Sequence, residues 1–288
     1  MTRIEELLKQ RDAIDAAIEA EYKKEQEAAA RGEAEAQLNL GIIHYKGQGV
    51  PQNLKAAFAA FKLAAEQGTS QAQYFLGVMY EQGQGTAQSY ADAAHWLELS
   101  AKEGNTDALN RLGAMLENGW GVKKDFQAAM RCYKLAAEQK DTTALFNIGS
   151  MYEHHHGVEQ DDIEAIRWYT LAANQGHEEA HYRIGCLYLT GHSVKQDFKK
   201  AKHRFELLVQ KGHIKSQIKL GDMYSKGLGI EQNFADAMKW FKLAAHRGSA
   251  EAQAKVAFMY GNAQGVDLDY QESLNWYLMA AKQDFPTA

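Results

Sequence analysis

The densest run of metal-type ligands in the chain is "MYEHHHGVEQDD", Met151 to Asp162, where His154, His155 and His156 stand beside Glu153, Asp161 and Asp162. Imidazole and carboxylate both bind zinc, but a structural zinc takes about four ligands in a tetrahedral array. Three adjacent side chains on one turn point in different directions and do not converge on one ion by themselves. Metal site or degenerate loop is therefore a question of register with the rest of the chain. Elsewhere, Cys132 and Cys186 lie far apart and form no ligand pair. No nucleophile elbow or P-loop is present. The Gly-rich segments "GQGVPQ" and "GLGIEQ" follow helical patterns rather than strands, which is the wrong context for a phosphate loop. No cofactor and no catalytic residue is expected.

The elements that would position these residues are helical. The chain of 288 residues contains two prolines, Pro51 and Pro286, a scarcity that favours uninterrupted helices. A net charge of −5 lacks the basic excess of a nucleic-acid binder. No apolar run reaches the roughly 18 residues of a membrane span. The first 32 residues are too charged for a signal peptide. Two free thiols fit a reducing compartment, so a cytoplasmic location is expected.

Gly41, Gly77, Gly113, Gly149, Gly185 and Gly221 recur at 36-residue intervals, and Ala257 holds the seventh slot. Five residues before each stands Ala36, Ala72, Ala108, Ala144, Ala180, Ser216 or Ala252; three after stand His44, Tyr80, Leu116, Tyr152, Tyr188, Tyr224 and Tyr260. Each unit reads as two helices. The first ends at a "GQG"-type loop suited to positive φ, and the second opens on Asp, Asn or Ser as an N-cap. Glycine inside a helix costs about 1 kcal/mol against alanine, so six copies imply close helix-helix contact. Trp96, Trp168, Trp240 and Trp276 share one slot of this period and read as repeat core rather than a ligand cage.

The pattern A-x-x-x-L-G-x-x-Y-x-x-G-x-G-V followed by D-x-x-x-A-x-x-W-[FY]-x-x-A-A resembles the Sel-one-like repeat family, related to the tetratricopeptide repeat; "AQYFLGVMYEQGQG" from Ala72 is close to an ideal copy. The resemblance spans Ala34 to about Asp284. It implies an all-α, right-handed α/α superhelical solenoid of about seven 36-residue helix-turn-helix repeats, at 34–69, 70–105, 106–141, 142–177, 178–213, 214–249 and 250–285. It also implies a scaffold or adaptor role; some family members are credited with hydrolysis of cell-wall-type substrates, and neutralisation of a toxin or effector is a further binding role. The fifth unit departs from the pattern with Leu208-Val209 for Ala-Ala and Ser193 for the second loop glycine, so its helix pair is expected to splay.

In this register His155 takes the first loop-glycine slot, and "EHHHG" reads as a degenerate "KGQG"; Asp161 and Asp162 begin the next helix. Residues 1–33 align as a lone second helix capping the first repeat, with Ile4, Leu7, Ile14 and Ile18 as its apolar stripe; heptad spacing offers a dimeric coiled coil as the alternative, against which Arg11 sits at a seam position. Ala288 falls where an eighth unit would begin, so either the chain continues or that end packs on something, including another copy.

Function then falls to the surface. At about 100° per residue, the slots three before, one after and four after the glycine share one face of the first helix. They hold Leu38, Ile42 and Tyr45; Tyr74, Val78 and Glu81; Asn110, Ala114 and Glu117; Phe146, Ser150 and Glu153; Tyr182, Cys186 and Leu189; and Ile218, Asp222 and Ser225. In related solenoids this face lines the concave groove. Its apolar density indicates a binding surface; packing against the neighbouring unit is the alternative. A flanking row, two before the glycine, includes Arg111, Arg183, Lys219 and Lys255. Glu81, Glu117 and Glu153 form an acidic ladder between the aromatics. The partner expected in the groove is a protein or peptide with spaced basic and apolar residues.

Overall fold

The computed structural model describes residues 3–191 and 193–283. The side chains of Ile4, Glu5, Leu8 and Asp15 lie outside the described residues, as does Ala288 with the reading that rests on it. The described residues form fifteen helices and no strand. A long α1 (Arg3–Ala30) comes first. The first, or A, helices of the repeats are α2 (Ala34–Lys46), α4 (Ser70–Gln82), α6 (Thr106–Asn118), α8 (Thr142–Glu153), α10 (Glu178–Thr190), α12 (Ile214–Lys226) and α14 (Ala250–Gly261). The B helices are α3 (Leu54–Glu66), α5 (Tyr90–Lys102), α7 (Phe126–Glu138), α9 (Asp162–Asn174), α11 (Phe198–Val209), α13 (Phe234–His246) and α15 (Tyr270–Ala281). The fold is an α-solenoid of seven consecutive helix pairs.

Local signals set the boundaries. Every B helix is capped by the side chain of Asn53, Ser89, Asp125, Asp161, Asp197, Asn233 or Asp269, which accepts a backbone N–H of the first turn. Such a cap contributes about 0.5–2 kcal/mol. Five A helices end on a left-handed glycine: Gly47, Gly83, Gly119, Gly191 and Gly227.

Packing divides the described chain into two compact units, one of residues up to Ile148 with His156–Val158, the other of Gly149–His155 with the residues from Glu159 onward. In unit 1, α1 to α7 each pack on their neighbour in sequence, and in unit 2 α9 to α15 do the same. The repeated glycines explain the tight pairing. A Cβ at Gly77 would lie 2.7 Å from Leu97, one at Gly113 2.5 Å from the Tyr133 ring, one at Gly149 2.7 Å from Tyr169 and one at Gly185 2.6 Å from Phe205; Gly41 and Gly221 face Phe61 and Phe241 in the same way. Tyr133, Tyr169, Phe61 and Phe205 are fully buried by this contact. The tryptophan slot sits at the core's margin: Trp276 is buried, and Trp96, Trp168 and Trp240 are half-buried.

α1 behaves as a B helix in its second half. Ile18, in the slot of Leu54, sits against Gly49, and Tyr22 packs edge-on against His44 at 5.8 Å, as Phe58 does against Tyr80 at 5.1 Å. The first half extends past this contact, with Leu7 57% and Ile14 59% exposed.

The fifth repeat keeps its packing, α10 on α11 and α11 on α12. Asp162 occupies the slot that holds Phe126 and Phe198, and its Oδ2 accepts the backbone N–H of Ser193 at 3.0 Å. The departure shows elsewhere. Gln37, Gln73 and Gln253 each donate to the carbonyl eight residues earlier, on Ala29, Ala65 and Ala245. Gln217 is fully buried in the same slot, with Val209 in the alanine position, and neither its oxygen nor its nitrogen finds a partner among the described residues.

Two outcomes follow from this packing. Gly149→Leu places a side chain against the Tyr169 ring and should destabilise the protein by about 1–3 kcal/mol, the usual range for overpacking; an unchanged melting temperature would refute the close-contact account. His44 is held below the ordinary imidazole range by burial, and its Nδ1 has no partner among the described residues. The unfolded chain therefore binds the proton more readily, near its ordinary pKa of about 6.5, and stability should fall as pH drops below that value. His44→Tyr, the residue of the equivalent slot in most repeats, should lose less melting temperature than wild type between about pH 7.5 and 5.5. Equal losses would show that His44 carries none of the dependence.

Candidate functional site

The A-helix face is built by residues that the helix period brings to one side and the next repeat then partly covers. Tyr45, Tyr74, Glu81, Arg111, Glu117, Phe146, Glu153, Tyr182 and Arg183 are all half-buried; Leu38, Val78, Asn110 and Ile218 on the same stripe are buried. Packing against neighbours thus takes up part of the apolar density, and the accessible remainder consists of side-chain edges and charged tips.

The acidic rungs are filled from within the chain. In unit 1, Arg111 Nη1 donates to Glu81 Oε2 at 2.7 Å, and Arg111 also lies over the Tyr74 ring at 5.9 Å. Glu117 accepts from the Tyr133 hydroxyl at 2.9 Å and pairs with His156 Nδ1 at 2.7 Å. In unit 2, Arg183 forks onto Glu153 with bonds of 2.6 and 3.0 Å, and the Tyr169 hydroxyl donates to the same carboxylate at 2.7 Å. Burial first, and then the facing carboxylate, push the Tyr133 and Tyr169 phenols well above the usual tyrosine range. Tyr45 donates to Gln84 Oε1 at 3.0 Å and packs beside Phe61 and Phe75.

Each unit carries a cleft on this face. The unit 1 cleft holds about 330 Å³ and is lined by Tyr74, Glu81, Asp107, Asn110, Arg111 and Trp120 among others. Asn110 donates to Asp141 at 2.8 Å, while its Oδ1 has no partner among the described residues. The unit 2 cleft holds about 280 Å³ and is lined by Glu179, Tyr182, Arg183, Lys215, Ile218, Lys219 and Glu251. Both draw on the same repeat slots, six, three and two before the glycine. Asp107, Lys215 and Trp120 are additions to the residues expected from sequence. The first two lie one further helical turn along the same stripe, so extending the stripe to the sixth slot finds them. Trp120 stands between two loop glycines, 45% exposed, where other repeats carry Gln48, Gln84 or Leu228.

The three histidines go to different partners. His154 Nδ1 lies 2.9 Å from the Ser150 carbonyl and its Nε2 3.1 Å from Arg183. His155 is exposed and adopts φ 60° in the loop-glycine slot, as Ala263 does at 52°. His156 stacks on Phe126 at 4.9 Å besides its bond to Glu117. Among the described residues no group of three or more His, Cys, Asp or Glu could hold a metal ion, and no helix is long and apolar enough to cross a membrane. Cys132 and Cys186 are unpaired, and burial pushes the Cys132 thiol up to about 11.

Seven consecutive helix pairs with variable side chains on one helix face define a repeat protein whose surface varies from repeat to repeat. The Sel1 repeat model matches residues 34–69, 70–105, 106–141, 142–177, 178–213, 214–249 and 250–285, and the chain belongs to the Sel1 repeat family. Proteins of this family are generally protein-protein interaction modules and typically non-enzymatic. Among solved structures, the chain is similar to a protective antigen of uropathogenic Escherichia coli with an SLR fold: 31% identity and a TM-score of 0.81, covering 91% of this chain. The chain spans 56% of that antigen's length. A Sel1 repeat protein from Oxalobacter formigenes matches at 28% identity and a TM-score of 0.75, over 93% of this chain and 78% of its own. No curated protein matches.

The αL geometry of His155 makes a test. His155→Gly should stabilise the protein by about 0.5–1 kcal/mol, since a side chain is disfavoured at positive φ. One equivalent of zinc should leave the melting temperature of wild type unchanged. A zinc-dependent rise abolished by His155→Gly would identify a metal site instead.

Proposed function

We propose that the chain is a non-enzymatic interaction scaffold that binds a peptide segment or partner domain on its A-helix face. The supporting observation is the pair of clefts, one in each unit, built from the same repeat slots. The residues engaged are Tyr45, Tyr74, Glu81, Arg111, Glu117 and Phe146 in unit 1 and Glu153, Tyr182 and Arg183 in unit 2. The unit 1 cleft suits a basic or N–H-donating group with apolar neighbours. Asp107 is an exposed carboxylate there, Asn110 Oδ1 has no donor among the described residues, and the faces of Trp120 and Tyr74 favour cations and apolar groups. Glu81, Glu117 and Glu153 serve as struts between repeats.

The test is calorimetric titration of a partner captured from the native cell. Trp120→Ala combined with Asp107→Lys should weaken binding about tenfold or more, the scale on which interface anchors act. The melting temperature should be nearly unchanged, and raised salt should lower wild-type affinity. Leu135→Ala, an exposed B-helix residue of the same unit, should have no effect. Unchanged affinity in the cleft variant, or a loss confined to Leu135→Ala, would place binding elsewhere; turnover of a substrate abolished by one carboxylate substitution would replace the scaffold reading with an enzyme.

A further inference from the structure

We infer that the unit 2 cleft seats a carboxylate of the bound segment against Lys219, supplying a rung that the chain itself leaves empty. The inference rests on the A-helix face being the binding surface. Three cations in the slot two before the glycine meet an acid of the preceding A helix: Arg111 meets Glu81 at 2.7 Å, Arg183 meets Glu153 at 2.6 Å and Lys255 meets Asp222 at 2.8 Å. The acids come from two slots, four after the glycine for Glu81 and Glu153, and one after it for Asp222. Lys219 is the fourth cation of this row. The fifth repeat offers it Leu189 and Cys186 in those two slots, and no carboxylate pairs with Lys219 among the described residues.

The surroundings limit what can answer it. Lys219 is half-buried and lines the 280 Å³ cleft, so an anion entering the cleft would meet a cation that has no ionic partner among the described residues. Burial raises the Cys186 thiol, and the Tyr182 hydrogen bond and the Lys219 charge oppose it, which places that charge on the Cys186 side. The neighbouring cations are engaged: Arg183 is forked on Glu153, and Lys215 lies over the Tyr182 ring at 5.7 Å. Glu179 and Glu251 line the same cleft; the first is 3.8 Å from His213 and the second 3.9 Å from Lys255. Their charges repel a polyanion. One carboxylate on a side chain satisfies Lys219 without crowding them, and apolar residues beside it meet Tyr182 and Ile218. An acidic residue with apolar neighbours is the chemistry that fits, rather than a nucleic-acid backbone.

The experiment titrates the full chain with the acetylated, amidated peptide Ala-Leu-Glu-Leu-Ala, following the lysine side-chain NMR signals. The comparison probes are its Gln counterpart, inorganic phosphate and oligothymidylate. The Glu peptide should shift Lys219 and bind about tenfold or more tightly than the Gln peptide, as expected for an ion pair shielded from water. Lys219→Met should remove that difference. Leu189→Glu, which places an acid in the empty slot, should move the Lys219 signal without peptide and block the Glu peptide. Equal binding of Glu and Gln peptides, no Lys219 shift at millimolar peptide, or equal shifts with phosphate or oligothymidylate would overturn the inference. Tyr182→Ala separates the two levels. Glu-peptide binding lost in Tyr182→Ala but kept in Lys219→Met leaves the face as the binding surface and removes the rung; binding indifferent to both removes both.

Discussion

The contact on which the rest depends is glycine against ring. In each of six repeats a glycine in the middle of the A helix faces the side chain of a large residue on the B helix, at a separation that leaves no room for a Cβ. Burying that aromatic or leucine side chain contributes roughly 1.5–3 kcal/mol, which outweighs the about 1 kcal/mol that glycine costs the helix. The contact fixes the distance and rotation of the two helices in each pair. Every other slot is then assigned in advance to the interior, to the neighbouring repeat or to the surface. The seventh repeat departs from this contact: it holds Ala257, fully buried, where the others hold glycine.

That constraint is why so much of the fold is legible in the sequence. The period, the helix pairs, the Asp, Asn and Ser caps and the loop-glycine slot of His155 all follow from local chemistry repeated at 36 residues. The candidate face was legible to the extent that helix periodicity selects Tyr74, Glu117 and Tyr182 for one side. The partners of its charges were not. Arg111 and Glu81 are thirty residues apart, as are Arg183 and Glu153, and neither residue of either pair is unusual by itself. Only the offset between one A helix and the next makes them neighbours. A separation of thirty residues also joins Gln67 to Gln37 and Ser70 to Ser100, there between the A helix and the end of the B helix of one repeat. The acidic ladder looked open because a stripe on one helix says nothing about which side chains of the following helix reach back to it.

The struts alter the electrostatics of the face. Ion pairs on fully exposed surfaces contribute about 0–1 kcal/mol. Glu153 and Arg183 are more sheltered, with side chains 13% and 26% exposed, and they meet in a bidentate fork with a tyrosine hydroxyl on the same carboxylate. Charge-assisted forks of this kind are strong and directional. They hold successive A helices in register beside the glycine contact, whose ring, Tyr169, donates to the same carboxylate. The charge left for a partner is then the unpaired remainder, such as Asp107 or Lys219, rather than the total read along the stripe.

Departures from the repeat therefore need to be read in pairs. Five loop glycines, at 85, 121, 157, 229 and 265, press on the start of the preceding B helix, where a Cβ would strike backbone or an aromatic Cβ. Ser193 breaks this rule, and taken alone it implies a helix pair forced apart. Asp162 breaks a different rule, since it buries a carboxylate where other repeats carry a half-buried or exposed aromatic or aliphatic side chain. Together they make one contact, a carboxylate accepting the serine N–H, and the fifth repeat keeps its packing. A departure answered by a second departure is structural. Lys219 opposite Leu189 is unanswered: the cation is kept and the acid is gone, although the slots on either side of it in the row, Arg183 and Lys255, both retain theirs. In a solenoid whose interior is fixed by one repeated contact, the counterpart we infer for such a remainder lies outside the chain.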